Sequence, residues 1–173
     1  ARRGIPVVQT IAHRIWVYPA TVEFPERLQD PRLAEDLPPD IYAAFQESFE
    51  NFHRRSYFRT TPRQIRNSKI AARQFIDANV ALGMGTDSGS PTNFHTESAW
   101  REISALVDSG MTPIQAISAA TKTGAEILGR SNERGTIEAG KEAALLVVNG
   151  ARSRYIDDLS RVVAVFQEGI RVK

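Results

Sequence analysis

One acid, Asp87, closes the apolar run in LGMGTDSGSPTNFH (82–95), with glycines at 83, 85 and 89 and the hydroxyls of Thr86 and Ser88 around it. A carboxylate at the end of a β-like run can do two kinds of chemical work. It can ligate a hard divalent cation, or it can take a proton from an attacking water. The surrounding glycines and small side chains let backbone and ligand approach closely. The same residues also make an ordinary Asx turn or helix cap, so the chemical reading depends on the flanking segments.

Asn93 and His95 follow the acid in the same stretch. His95, Asn93 and Ser88 are candidate substrate contacts, while a surface His at a helix start remains open for His95. His13, just beyond an early apolar run, reads more simply as a loop residue. The chain has three histidines, in no HxH or HxxxH spacing, and no cysteine. Thiolate metal sites, disulfides and a Cys nucleophile are therefore excluded. HTE (95–97) lacks the downstream Cys pair that a zinc deaminase motif needs. KTG (122–124) lies inside a helical pattern without the companion motifs of a β-lactamase.

These residues need elements to hold them. GIPVVQTIA (4–12) and VALGM (80–84) read as buried strands. Between them, five prolines fall between 19 and 39, which reads as a long loop of the kind that forms lids or insertions. Helical spacing then predicts helices over 41–57 and 65–79. Trp100, Ile103, Leu106 and Val107 mark a helix ending at Gly110. TPIQ (112–115) is a helix start with a Thr cap, a Pro at the first position and a Gln closing a capping box. That helix is expected to run to Leu128. The tail is Gly-punctuated, with a β-run at 144–148 and a hairpin over 162–172 turning at 167–169. Strands alternating with helices indicate βα units and a parallel sheet.

Bulk properties set further bounds. The 173 residues are 42% hydrophobic and 24% charged, ordinary for a globular chain, and the net charge of +2 makes no general case for nucleic acid or membrane. No apolar run reaches the length of a membrane span. No leader pattern opens the chain, which favours the cytoplasm without fixing the compartment. Seven basic residues and no acid lie between 54 and 73. With Tyr57 and Phe58 they could bind nucleic acid, but a solvated helix face is the simpler reading. The opening ARRGIPVV enters an apolar run at once, as a fragment of a longer protein would.

Taken in order, ALGMGTDSGSP, HTESAWREISALVDSGMTPIQAISAATKTGAEILG and RGTIEAGKEAALLVVNG resemble the C-terminal part of the amidohydrolase superfamily. The likeness is to its imidazolonepropionase-like and prolidase-like branch. It covers nearly the whole chain and is weakest over 15–65. The resemblance implies an α/β fold, part of a metal-dependent (β/α)8 barrel with strands seven (4–12) and eight (80–86). Residues 1–133 would belong to the catalytic barrel and 134–173 to the C-terminal share of a small β-sandwich. It implies that Asp87 is both metal ligand and general base, that the ion is divalent with zinc expected, and that a small-molecule substrate loses an amide, cyclic amide or peptide-like C–N bond to activated water. The family's HxH pair, its carboxylated Lys or Glu and its two further histidines have no match here. Ala144 stands where the family commonly carries Asp. Two other readings stay open: a non-catalytic half-barrel or interaction module, and a nucleic-acid-binding segment through 54–73. With two barrel strands, a homo-oligomer or a missing N-terminal barrel half is expected to cover the open edges.

Overall fold

The computed structural model of the chain describes residues 3–151 and 155–173, so the first two residues of the ARRGIPVV opening lie outside the described residues. Two short strands, β1 (Val7–Gln9) and β2 (Leu82–Met84), pair in parallel with Val7 opposite Leu82, Val8 opposite Gly83 and Gln9 opposite Met84. A parallel pair requires a long crossover, and here it is helical almost throughout. A five-residue π-helical turn (His13–Val17) leads into α1 (Tyr18–Glu23), a 3-10 turn (Pro25–Gln29), α2 (Pro31–Asp36), α3 (Pro39–Asn51) and the long α4 (Ser56–Asp77).

The proline-rich stretch is thus not an irregular loop. Pro19, Pro25, Pro31 and Pro39 each stand in the first turn of a helical element, where a missing N–H has no intrahelical partner to lose. Asp30 caps α2 by accepting the Arg32 backbone N–H at 3.0 Å. α4 also begins earlier than its periodicity indicates and runs through Pro62. Beside that proline, Thr60 and Thr61 donate their hydroxyls to backbone carbonyls of the first turn, at 3.0 Å and 2.9 Å to that of Tyr57.

After β2 come α5 (His95–Asp108), α6 (Pro113–Ala120) and α7 (Lys122–Ile127). The expected single helix to Leu128 is two helices, broken at Thr121 with φ −123° and ψ −83°. α7 lies directly on β2: a Cβ at Gly83 would stand 2.6 Å from Ile127 Cδ1, so any larger residue there would require the Ile127 side chain to shift. The tail forms an antiparallel sheet of β3 (Leu145–Val148), β4 (Val162–Gln167) and β5 (Ile170–Arg171), with positive φ at Glu168 and Gly169 making the tight turn between the last two.

Three apolar clusters hold the elements. Ile11, Ala12, Ala72, Ala105, Leu106, Ala116 and Ala119 join the end of β1 to α4, α5 and α6. Leu33, Phe45, Phe49 and Phe94 clamp the crossover onto the start of α5, with Phe94 stacked on Phe49 and edge-on to Phe45. Val148, Ile156 and Leu159 seat the tail against Trp100, Ile103 and Val107 of α5. Among the described residues β1 and β2 each have one strand neighbour, and Val8 remains half exposed. No helix of the described residues is long and apolar enough to cross a membrane.

Candidate active site

The register of β1 and β2 brings their C-terminal ends side by side, and the chain leaves each end carrying polar groups. Past β2, Asp87 takes φ 53°, a left-handed conformation that Asp and Asn adopt more readily than other side-chain-bearing residues. Its backbone is fixed from several directions. Ser90 donates its Oγ to the Asp87 carbonyl at 2.6 Å. The Asn93 amide donates to the carbonyls of Thr86 at 2.8 Å and Asp87 at 3.0 Å. Gly89 N–H returns to the Asn93 carbonyl at 3.1 Å. The Asp87 residue itself is exposed, so the loop holds its backbone while its side chain reaches solvent.

Asn93 is 1% exposed and its amide is committed to the loop carbonyls, so it shapes the loop from within. Ser88 is half-buried and shares a hydrogen bond with the Thr86 hydroxyl at 2.8 Å. His95 is exposed at the first position of α5, with its imidazole against Gly89: a Cβ there would be 3.3 Å from His95 Cε1. The loop thus brings the His95 ring back beside Gly89, two residues beyond Asp87.

Past β1, His13 is buried, not in an open loop. Nδ1 of its ring is hydrogen-bonded to the Tyr57 hydroxyl of α4, and its Nε2 is buried without a partner at hydrogen-bond geometry, although the Pro91 carbonyl lies close enough to favour the charged ring. Burial holds the His13 pKa below its ordinary value, against the pull of the Asp87 charge. Burial likewise raises the Tyr57 pKa, with Asp87 adding to the shift. The Asp87 charge therefore acts on both groups at the neighbouring strand end.

Two further acids escaped the sequence pattern. Glu102 on α5 is fully buried and accepts the backbone N–H groups of Ile11 at 2.8 Å and Ala12 at 2.7 Å. Burial pushes its carboxyl up to about 7, partly countered by those two N–H donors. The visible signal was its place on the same helical stripe as Ser98, Ala105 and Leu106. Glu97 pairs with Arg27, which also donates to the Thr92 carbonyl and stacks over Phe94 and Trp16. Burial, opposed by Glu97, lowers Arg27 to about 10, and burial raises Glu97. This pair locks the proline-rich crossover onto the loop that follows Asp87.

The sequence model of the amidohydrolase family matches residues 5–172. This chain belongs to the amidohydrolase family. An imidazolonepropionase of Geobacillus kaustophilus (strain HTA426) is 39% identical over 79 residues, covering 45% of this chain and 18% of that protein. A 5'-deoxyadenosine deaminase of Methanobrevibacter smithii is 29% identical over 106 residues, covering 54% of this chain and 24% of that protein. A crystal structure of a Xaa-Pro dipeptidase with bound methionine superposes with a TM-score of 0.71 at 23% identity, covering 99% of this chain and 35% of that one, which establishes a shared amidohydrolase fold of the α/β class. The chain thus spans about a quarter or less of the two curated relatives and about a third of the solved one.

The amidohydrolase family is generally metal-dependent. Asp87 is a hard carboxylate at a strand end and suits one ligand position. Among the described residues no three His, Asp or Glu side chains converge on one point.

Proposed function

We propose that this chain is the C-terminal segment of a metal-dependent amidohydrolase, with β1 and β2 as the seventh and eighth strands of its barrel. Residues 1–133 are the barrel part and 134–173 its share of a β-sandwich. The reaction is hydrolysis of an amide, cyclic amide or peptide-like C–N bond in a small-molecule substrate. The supporting observation is the placement of Asp87 beyond the C-terminal end of a parallel strand, beside the end of its neighbour, where barrel enzymes carry their chemistry.

In this reading Asp87 would be a ligand of the ion and would take up the proton of the attacking water. A bound divalent ion, zinc being expected, would acidify that water and polarise the scissile carbonyl. His95 and Ser88 line the approach of the substrate, and Asn93 keeps the loop in shape. Because the pinned backbone leaves only the carboxylate torsions to be ordered, Asp87 is prepared for this role before substrate arrives. The test is hydrolysis by the intact protein of a panel made of imidazolone propionate, 5'-deoxyadenosine and Xaa-Pro dipeptides. Turnover that is lost in Asp87→Asn, and lost on chelation but restored by zinc, supports the reading; turnover indifferent to Asp87 overturns it.

A second reading rests on the open edges of β1 and β2 and the exposed Ile5 and Val8, which suit a non-catalytic half-barrel that docks on another part or copy. Metal bound stoichiometrically with turnover would exclude it. Arg59, Arg63, Arg66, Lys69 and Arg73 are exposed along α4, with Arg54 and Arg55 just before it and Arg73 paired to Asp77, and we read the run as a solvated surface.

A further inference from the structure

The turn that presents His13 starts without a cap of its own. Its first flanking residue is Ala12, whose side chain cannot accept a hydrogen bond, so the leading N–H groups need acceptors from elsewhere. Both carboxylate oxygens of Glu102 supply them, Oε1 to Ile11 and Oε2 to Ala12. Glu102 comes from a helix some ninety residues away and pairs with no cation among the described residues. A buried carboxylate without a cation is costly to keep. An apolar side chain in its place would leave two N–H groups unsatisfied.

The position of Glu102 along α5 gives the contact a second meaning. The helix begins at His95, directly after the loop that carries Asp87, and Glu102 lies seven residues further on, about 10 Å along the axis. One rigid element therefore touches both strand ends. Its first turn borders the Asp87 loop, and its middle grips the residue before His13. His13 in turn is fastened to α4 through Tyr57. We infer that Glu102 is a positioning residue of the candidate site, setting the His13–Tyr57 pair against the loop of Asp87 through the backbone of Ile11 and Ala12. The inference rests on the proposed reading of Asp87.

The experiment uses the intact protein with 15N-labelled histidine, the His13 signals being assigned with His13→Gln. Glu102→Gln keeps the shape but turns one acceptor into a donor facing an N–H. Glu102→Asp keeps the charge and withdraws it by one methylene, and serves where the first variant does not fold. Leu159→Ala is the control: it destabilises the packing of the tail on α5, in a cluster whose buried residues do not include Ile11, Ala12 or Glu102. The Glu102 variants are expected to shift both His13 ring nitrogens and to lower kcat ten- to a hundredfold on whichever panel substrate is turned over, with KM little changed. Leu159→Ala is expected to lower Tm and do neither. Unchanged His13 signals in a folded Glu102 variant, or equal changes in Leu159→Ala, overturn the inference. If turnover is still lost in Asp87→Asn under that outcome, the reading of Asp87 stands alone; if Asp87→Asn keeps turnover, both fall.

Discussion

The Tyr57 hydroxyl meets Nδ1 of His13 across 44 residues of sequence, and this contact ties α4 to the turn beyond β1. Tyr57→Phe leaves a buried ring nitrogen without its partner, which costs about 1–3 kcal/mol. The expected result is a lower urea midpoint with an unchanged m-value. His13 also predicts an acid limb. Its folded pKa lies below the ordinary 6.5, so the unfolded chain binds the proton more readily. The stability tied to this group is complete above pH 6.5 and is lost as pH falls through the lowered folded value. Comparing His13→Gln with the parent chain at pH 5 and pH 7.5 checks it: the gap in unfolding free energy should be wider at pH 7.5.

Glu102 predicts the opposite slope. Its folded pKa of about 7 lies above the ordinary 4.5, so between these values the folded chain holds a proton that the unfolded chain has released. Its contribution is most favourable below pH 4.5, falls as pH rises to about 7, and is flat beyond. The span is on the order of 3 kcal/mol. Denaturant titrations of the parent chain and Glu102→Gln at several pH values should diverge across this window. Parallel curves would show that burial does not raise the carboxyl as described.

Asn93 is expected to be the most sensitive residue of the Asp87 loop. Its buried amide satisfies two carbonyls, so Asn93→Ala should cost about 2–3 kcal/mol and loosen Asp87 with it. Hydrogen exchange at Gly89 and Ser90 reads the local effect: exchange no faster than in the parent would contradict it.

Local chemistry in the sequence foretold local structure, and its silences follow the same physics. TPIQ announced its capping box, and the structure has it: Thr112 Oγ1 accepts the Gln115 N–H at 3.3 Å and Gln115 Oε1 accepts the Thr112 N–H at 2.8 Å. The turn after Gln167 was equally plain. The prolines of 19–39 misled because the same residue that breaks a helix interior also starts a helix, and only the following turns tell which. His13 and Glu102 were opaque for a different reason. Their meaning lies in contacts to Tyr57 and to Ile11 and Ala12, far away in the chain, and no local spacing encodes such partners. The influence of the Asp87 charge on His13 and Tyr57 is likewise a matter of two strand ends standing side by side, which no local spacing encodes.

Asp87 itself separates stability from chemistry. Asn tolerates φ near 53° about as well as Asp, and the exposed side chain contributes little packing. Asp87→Asn is therefore expected to leave the unfolding free energy within about 0.5 kcal/mol of the parent. Asp87→Ala should cost about 1 kcal/mol more, because alanine is strained in that conformation. Turnover should behave quite differently. Loss of a general base lowers the rate roughly a hundred- to ten-thousandfold, and the loss should be the same for Asn and Ala although their stabilities differ. Measuring kcat and the urea midpoint on both variants of the intact protein decides the matter. Rates that track stability across the pair would mean that Asp87 merely supports the loop, while equal loss at unequal stability is what a residue acting on the reacting water predicts.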